Sequence, residues 1–137
     1  MSQTPGDDEL FRGFSEFGAE LAAFVAADAA ARGAILTDRE GDPIDFAHRS
    51  ARLSALDLQI AGAQVEQATA RAQAWCLRQG LGACEILVEA SHGMLLSAAP
   101  GRECVLSSLH ARSADDDPDA LLAEFAALRR RIAALIG

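Results

Sequence analysis

Leu10, Phe11, Phe14, Phe17, Leu21, Phe24 and Val25 recur at intervals of three and four, the spacing of one helix face. The same spacing returns near the other end in Leu121, Leu122, Phe125, Leu128, Ile132, Leu135 and Ile136. Each run predicts a helix with a single apolar stripe, suited to packing on one face of a sheet. The intervals also resemble coiled-coil positions, but both stretches are short for that arrangement. The second helix has a clear start, with Asp117 as N-cap, Pro118 at the first helical position and Asp119 in the first turn. Arg129, Arg130 and Arg131 then suit the negative end of its dipole.

Between these helices the period falls to two. Residues 33–38 and 43–49, GAILTD and PIDFAHR, read as a hairpin whose turn uses Gly41 for a positive φ. Ile44, Phe46 and His48 alternate with Asp45, Ala47 and Arg49, which predicts one buried and one solvated face. Pro43 places that strand at a sheet edge, because proline cannot donate to a ladder. Further on, residues 84–90, 94–98 and 104–109 are rich in Ile, Leu, Val and Met. Ser91-His92-Gly93 and Ala99-Pro100-Gly101-Arg102-Glu103 separate them, so the stretch predicts a three-strand meander.

Residues 54–79 form a longer helix with two apolar stripes. One holds Leu53, Leu56, Ile60, Ala63, Ala70 and Ala74, and the other Leu58, Ala61, Val65, Ala68, Ala72 and Cys76. Asp57, Gln64, Gln67, Arg71 and Arg78 fill one gap, and Gln59, Gly62, Glu66, Thr69 and Gln73 the other. Packing on the chain's own sheet needs one stripe, so the second predicts another surface, while the many alanines also suit a helix left bare outside. The pattern as a whole is α+β, a five-stranded antiparallel sheet in the order helix, hairpin, helix, three-strand meander, helix. Residues 9–137 make a single domain behind a polar stretch, 1–8, expected to be disordered.

Composition narrows the partners. A chain of 137 residues is enough for one domain with a core and no staples. Its net charge of -8 argues against a phosphate backbone or an anionic membrane as ligand. No apolar run reaches membrane-spanning length and the start, MSQTPGDDE, is acidic, so a cytoplasmic protein is expected. Cys76, Cys84 and Cys104 lack metal-site spacing and are odd in number, which predicts three buried free thiols.

Little in the sequence carries chemistry. A pairing of Cys84 or Cys104 with His92 or His110 would need a base in reach and a third orienting group, and no motif supplies them. His48, His92 and His110 fit strand and turn positions better than a metal site. The run Asp115-Asp116-Asp117 lacks the glycine and distant glutamate of a calcium loop. No phosphate-binding glycine motif occurs. The reading is a protein without catalytic residues, cofactor or metal.

GAILTDREGDPIDFAHR, the alanine-rich helix after it and EILVEASHGMLLSAAPGRECVLSSL together resemble the roadblock family of dynein light-chain relatives, over residues 10–136. Profilin-like and longin-like sheets share the outline. The resemblance implies a sheet ordered second, first, fifth, fourth, third strand. It implies a bacterial-type homodimer in which the third strand pairs with its twofold mate and the middle helices meet. Leu56, Ile60, Ala63, Ile86, Leu87 and Val88 are then the candidate dimer contacts. Glu85 and Glu89 would instead protect that edge in a monomer. The resemblance further implies a small Ras-like GTPase or another signalling protein as partner on the exposed middle helix, with Gln59, Glu66, Gln67, Arg71 and Gln73 as candidates. Such a protein stimulates GTP hydrolysis, if at all, without catalytic residues of its own. The alternatives are a profilin-like or longin-like scaffold or sensory domain with no GTPase partner, and a thiol-dependent enzyme.

Overall fold

A computed structural model of the chain describes residues 9–112 and 117–137. The expected disorder of 1–8, and Asp115 and Asp116 of the acidic run, lie outside them. The elements are β1 (Leu10–Arg12), α1 (Glu16–Ala27), β2 (Ala31–Asp38), β3 (Pro43–Arg49), α2 (Ala55–Arg78), β4 (Glu85–Glu89), β5 (Gly93–Ala98), β6 (Cys104–Ala111) and α3 (Pro118–Ile136). They build one antiparallel sheet in the order β1-β3-β2-β6-β5-β4. Apart from β1, this is the order implied by the resemblance.

Strand alternation sorts the core into two layers. Leu36 of β2 lies opposite Leu106 of β6, and Ala34 opposite Ser108. These side chains meet Leu21, Phe24 and Val25 of α1 and Phe125, Leu128 and Ile132 of α3. The intervening residues Ile35 and Thr37 face the other way, toward α2. One sheet face thus carries two helices and the other carries one.

The sheet has six strands where five were expected, because Leu10 and Phe11 do not begin a helix. They pair with β3, Leu10 opposite Arg49 and Phe11 opposite His48. The helical spacing was fortuitous there, and Phe14 is fully exposed in the connection. α1 starts instead after Ser15, an extended residue whose side chain accepts from the Gly18 N–H. β3 is therefore the edge strand only in its first half, where Pro43 lies. β1 covers only positions 47–49 of β3, so the proline sits beyond its reach and interrupts no ladder there.

β3 has no wholly solvated face: Asp45 and Ala47 are buried on one side and His48 on the other, and Ile44 is largely exposed. The Asp45 carboxylate accepts the Ser15 N–H at 3.0 Å, the Gly18 N–H at 3.1 Å and the Ser15 hydroxyl. It thus caps α1 from the sheet. Gly13 and Gly18 make the approach possible: a Cβ at Gly13 would lie 1.5 Å from Asp45 Oδ1, and one at Gly18 2.8 Å from Oδ2.

Two other expectations change. Only Cys104 of the three thiols is buried; Cys76 and Cys84 are partly exposed. Asp117 and Pro118 start α3 as expected, but no basic residue occupies its last turn. Arg129 binds Glu85 at 3.0 Å and Arg131 binds Glu20 at 2.8 Å, so these arginines fasten α3 to β4 and α1.

Replacing Asp45 by Ala removes the carboxylate that accepts the Ser15 and Gly18 amides, leaving Gly18 only the Ser15 hydroxyl at 3.4 Å. The expected loss is roughly 1–2 kcal/mol of unfolding free energy, read as a lower guanidinium midpoint. Asp45→Asn keeps one acceptor oxygen and is expected to lose less.

Candidate interaction surface

α2 begins at Ser54, whose hydroxyl accepts the Asp57 N–H at 3.0 Å. It ends in a glycine cap: Leu81 N–H bonds Cys76 C=O at 2.9 Å and Gly80 N–H bonds Leu77 C=O at 3.2 Å, with Gly80 at a positive φ. Its buried residues are Leu58, Gly62, Glu66 and Thr69. Most of these belong to the strip read from the sequence as a polar gap. That strip faces the sheet.

The reason lies in the strands. Thr37, Ser97 and Ser107 are buried on this face. Thr69 Oγ1 lies 2.7 Å from Ser97 Oγ, which lies 3.3 Å from Ser107 Oγ. Glu66 meets Arg39 at 3.3 Å, and Arg39 also donates to the Arg102 carbonyl at 2.6 Å. Gln73 Oε1 accepts from the N–H and thiol of Cys84, at 3.2 and 3.4 Å. The hydroxyl residues inside otherwise apolar strands were the sequence signal for this polar seat.

Apart from Leu58, both apolar stripes consequently lie toward the flanks and outside of α2. Leu56, Ile60 and Trp75 are 65%, 46% and 52% exposed. Leu77 and Leu81 are also exposed, and the lone tryptophan in an alanine-rich helix was the signal for this end. α2 seats chiefly over β2, β6 and β3. Beside it, on the same sheet face, Ile86, Leu95 and Leu109 are half-buried and Val88 is exposed.

The candidate residues separate accordingly. Gln67 and Arg71 are exposed on the outer side of α2, whereas Gln59 is half-buried. Glu66 is buried against Arg39, and Gln73 is tied to Cys84, so both act within the chain. Leu56, Ile60, Ala63 and Val88 are exposed. Ile86 is on the α2 face opposite Ser97, but Leu87 lies opposite Leu96 and packs on the α1–α3 core. The surface thus loses Glu66, Gln73 and the Leu87 side chain and gains Trp75 and Leu77.

β4 ends the sheet, pairing only with β5. Ala90 N–H bonds Gly93 C=O at 2.8 Å, so the alternation of an antiparallel ladder turns the Ile86 and Val88 amides toward β5. Those of Leu87 and Glu89 point off the edge. Glu85 and Glu89, the possible edge guards, contact Arg129 and Arg112.

The same folding brings together an array unforeseen in the sequence. Ser108 Oγ lies 2.8 Å from His110 Nε2, and His110 Nδ1 lies 3.1 Å from Asp28 Oδ2. The order is that of a hydrolase triad. Ser108 is fully buried, so a substrate has no path to its hydroxyl, and the array joins β6 to the end of α1. Asp38, Glu40 and Asp42 cluster in the β2–β3 turn, where Asp38 Oδ1 accepts the Glu40 and Asp42 amides.

No family model matches the chain, and no curated protein matches it by sequence. Solved structures do. The roadblock/LC7 domain from Streptomyces avermitilis is similar with a TM-score of 0.70 at 18% identity, covering 86% of this chain and 95% of that one. The chain has the roadblock/LC7 fold. Its structural neighbours also include MglB from Myxococcus xanthus, TM-score 0.72 at 14% identity, covering 90% of this chain and 96% of MglB. The gliding protein MglB from Thermus thermophilus gives 0.72 at 15%, covering 89% and 92%. Among the described residues no helix is long and apolar enough to cross a membrane.

Arg39→Ala strands the Glu66 carboxylate beneath α2. Chemical denaturation is expected to show a loss of roughly 1–3 kcal/mol, partly recovered when Glu66→Gln is added.

Proposed function

We propose that this chain is a non-catalytic homodimeric regulator or adaptor that binds a small Ras-like GTPase. The observation that carries the reading is the exposed apolar side of α2 beside an unpaired β4 edge, on a roadblock fold. Two copies pair their β4 strands through the outward backbone groups of Leu87 and Glu89, and Leu56, Ile60, Ala63, Ile86 and Val88 supply apolar contacts nearby. The resulting ten-stranded core sheet carries β1 at each end. The two α2 helices then offer one continuous outer surface, where Gln67, Arg71 and Trp75 are the groups we assign to partner contact. The GTPase assignment is supported by the resemblance to the roadblock family. With no nucleotide-binding motif in the chain, nucleotide sensing falls to the partner, and the dimer acts by holding one shape of it.

Light scattering is expected to give twice the 14.4 kDa chain mass at micromolar concentration. Glu89→Pro removes an outward N–H while sparing the β4–β5 bonds, and is expected to return a folded monomer. Glu89→Ala keeps the amide and should remain dimeric. A monomeric parent chain sinks the shared sheet.

Affinity capture from host lysate, run with GDP and with a non-hydrolysable GTP analogue, tests the partner. A small GTPase enriched with the analogue, and lost in Arg71→Glu, is the expected result. No GTPase under either condition favours the profilin-like or longin-like scaffold.

A further inference from the structure

Cys76 lies in the last turn of α2, and Cys84 immediately precedes β4. The fold brings them together. Cys84 donates its N–H and its thiol to Gln73 Oε1, and Gln73 stands one turn before Cys76 on the inward side of the helix. Cys76 also lies near enough to the Cys84 thiol to help raise its pKa. Both residues are partly exposed, in contrast to Cys104, which is buried in β6.

The connection between them can close. It consists of residues 77–83 and contains Gly80 and Gly82, both at positive φ. A Cβ at either glycine would meet nothing within 4 Å, so no packed side chain has to be displaced when the segment adjusts. A disulfide requires Cβ atoms roughly 3.8 Å apart, and the solvent-exposed residues 79–83 leave room for the small adjustment it needs.

We infer that Cys76 and Cys84 form a reversible oxidation site, which a hydroperoxide closes into one intramolecular disulfide between the end of α2 and the entry to β4. Burial, and after it the neighbouring Cys76, raises the Cys84 thiol above its ordinary value of 9.0, and its S–H is engaged as a donor to Gln73 Oε1. Attack on the oxidant therefore falls to Cys76. Its thiolate sulfur takes one peroxide oxygen, the O–O bond breaks, and the other oxygen leaves with a proton as water. The Cys84 sulfur then attacks the Cys76 sulfenic acid. The S–S bond forms as the S–O bond breaks, and a second water carries away the Cys84 proton. Two electrons pass from the sulfurs to the peroxide, and a dithiol reverses the change. The inference is independent of any GTPase partner. It concerns the junction of the two elements that frame the open edge.

The test uses the full-length reduced protein, treated with a few equivalents of hydrogen peroxide and then with maleimide under denaturing conditions. The expected product is about 2 Da lighter before labelling and carries a maleimide on Cys104 alone. Its peptide map joins Cys76 to Cys84, and dithiothreitol restores labelling of all three cysteines. Cys104→Ser should form the same link. Cys84→Ser should stop at a Cys76 sulfenic acid that a cyclic 1,3-dione traps. Retention of three labelled thiols, a link that includes Cys104 or a second chain, or overoxidation of Cys76 beside a free Cys84 would each overturn the inference.

Discussion

The hydroxyl chain Thr69–Ser97–Ser107 fixes how α2 is rotated about its own axis. Buried polar atoms in a low-dielectric layer must find partners, and a helix turned by a quarter would take Thr69 away from Ser97 and leave the serine pair with only each other. Glu66 with Arg39 and Gln73 with Cys84 reinforce the same rotation farther along the helix. The apolar residues are consequently left at the sides and outside. A conventional amphipathic helix would have buried Leu56 and Ile60 and shown glutamine and arginine to solvent. Here the polar attachment leaves an apolar surface exposed.

The remaining packing is conventional and was correspondingly readable. The hairpin, the meander and the capped α3 appear where period, turn residues and capping chemistry put them, since each depends on neighbours within a few positions. The sheet order came from the family resemblance and not from the periodicity. What escaped the sequence depends on contacts far along the chain. Leu10 and Phe11 have helical spacing, but pairing with β3 outweighs it, and Asp45 starts α1 from 30 residues away. A carboxylate in an alternating strand reads as solvent-facing unless its hydrogen-bond donors are known.

The candidate surface was legible to a similar extent. The two stripes of α2 were visible, and so was their excess over what one sheet can cover. Which strip turned inward was not, because helical periodicity reports separation in angle and gives no absolute direction. Direction came from the strands, through Thr37, Ser97 and Ser107. Glu66 and Gln73 look like ordinary surface polar residues until those positions are placed beneath them.

The two ends of the sheet differ in what they permit. β4 presents five residues to an incoming strand, whereas β1 presents three and covers less than half of β3. Like-to-like pairing at β4 is self-complementary, and once made it leaves only the short strands at the outer ends. In the proposed dimer, growth by sheet addition stops after that one step. In that proposed arrangement closure is favoured over propagation, because the short β1 at each outer end offers a further strand little to pair with.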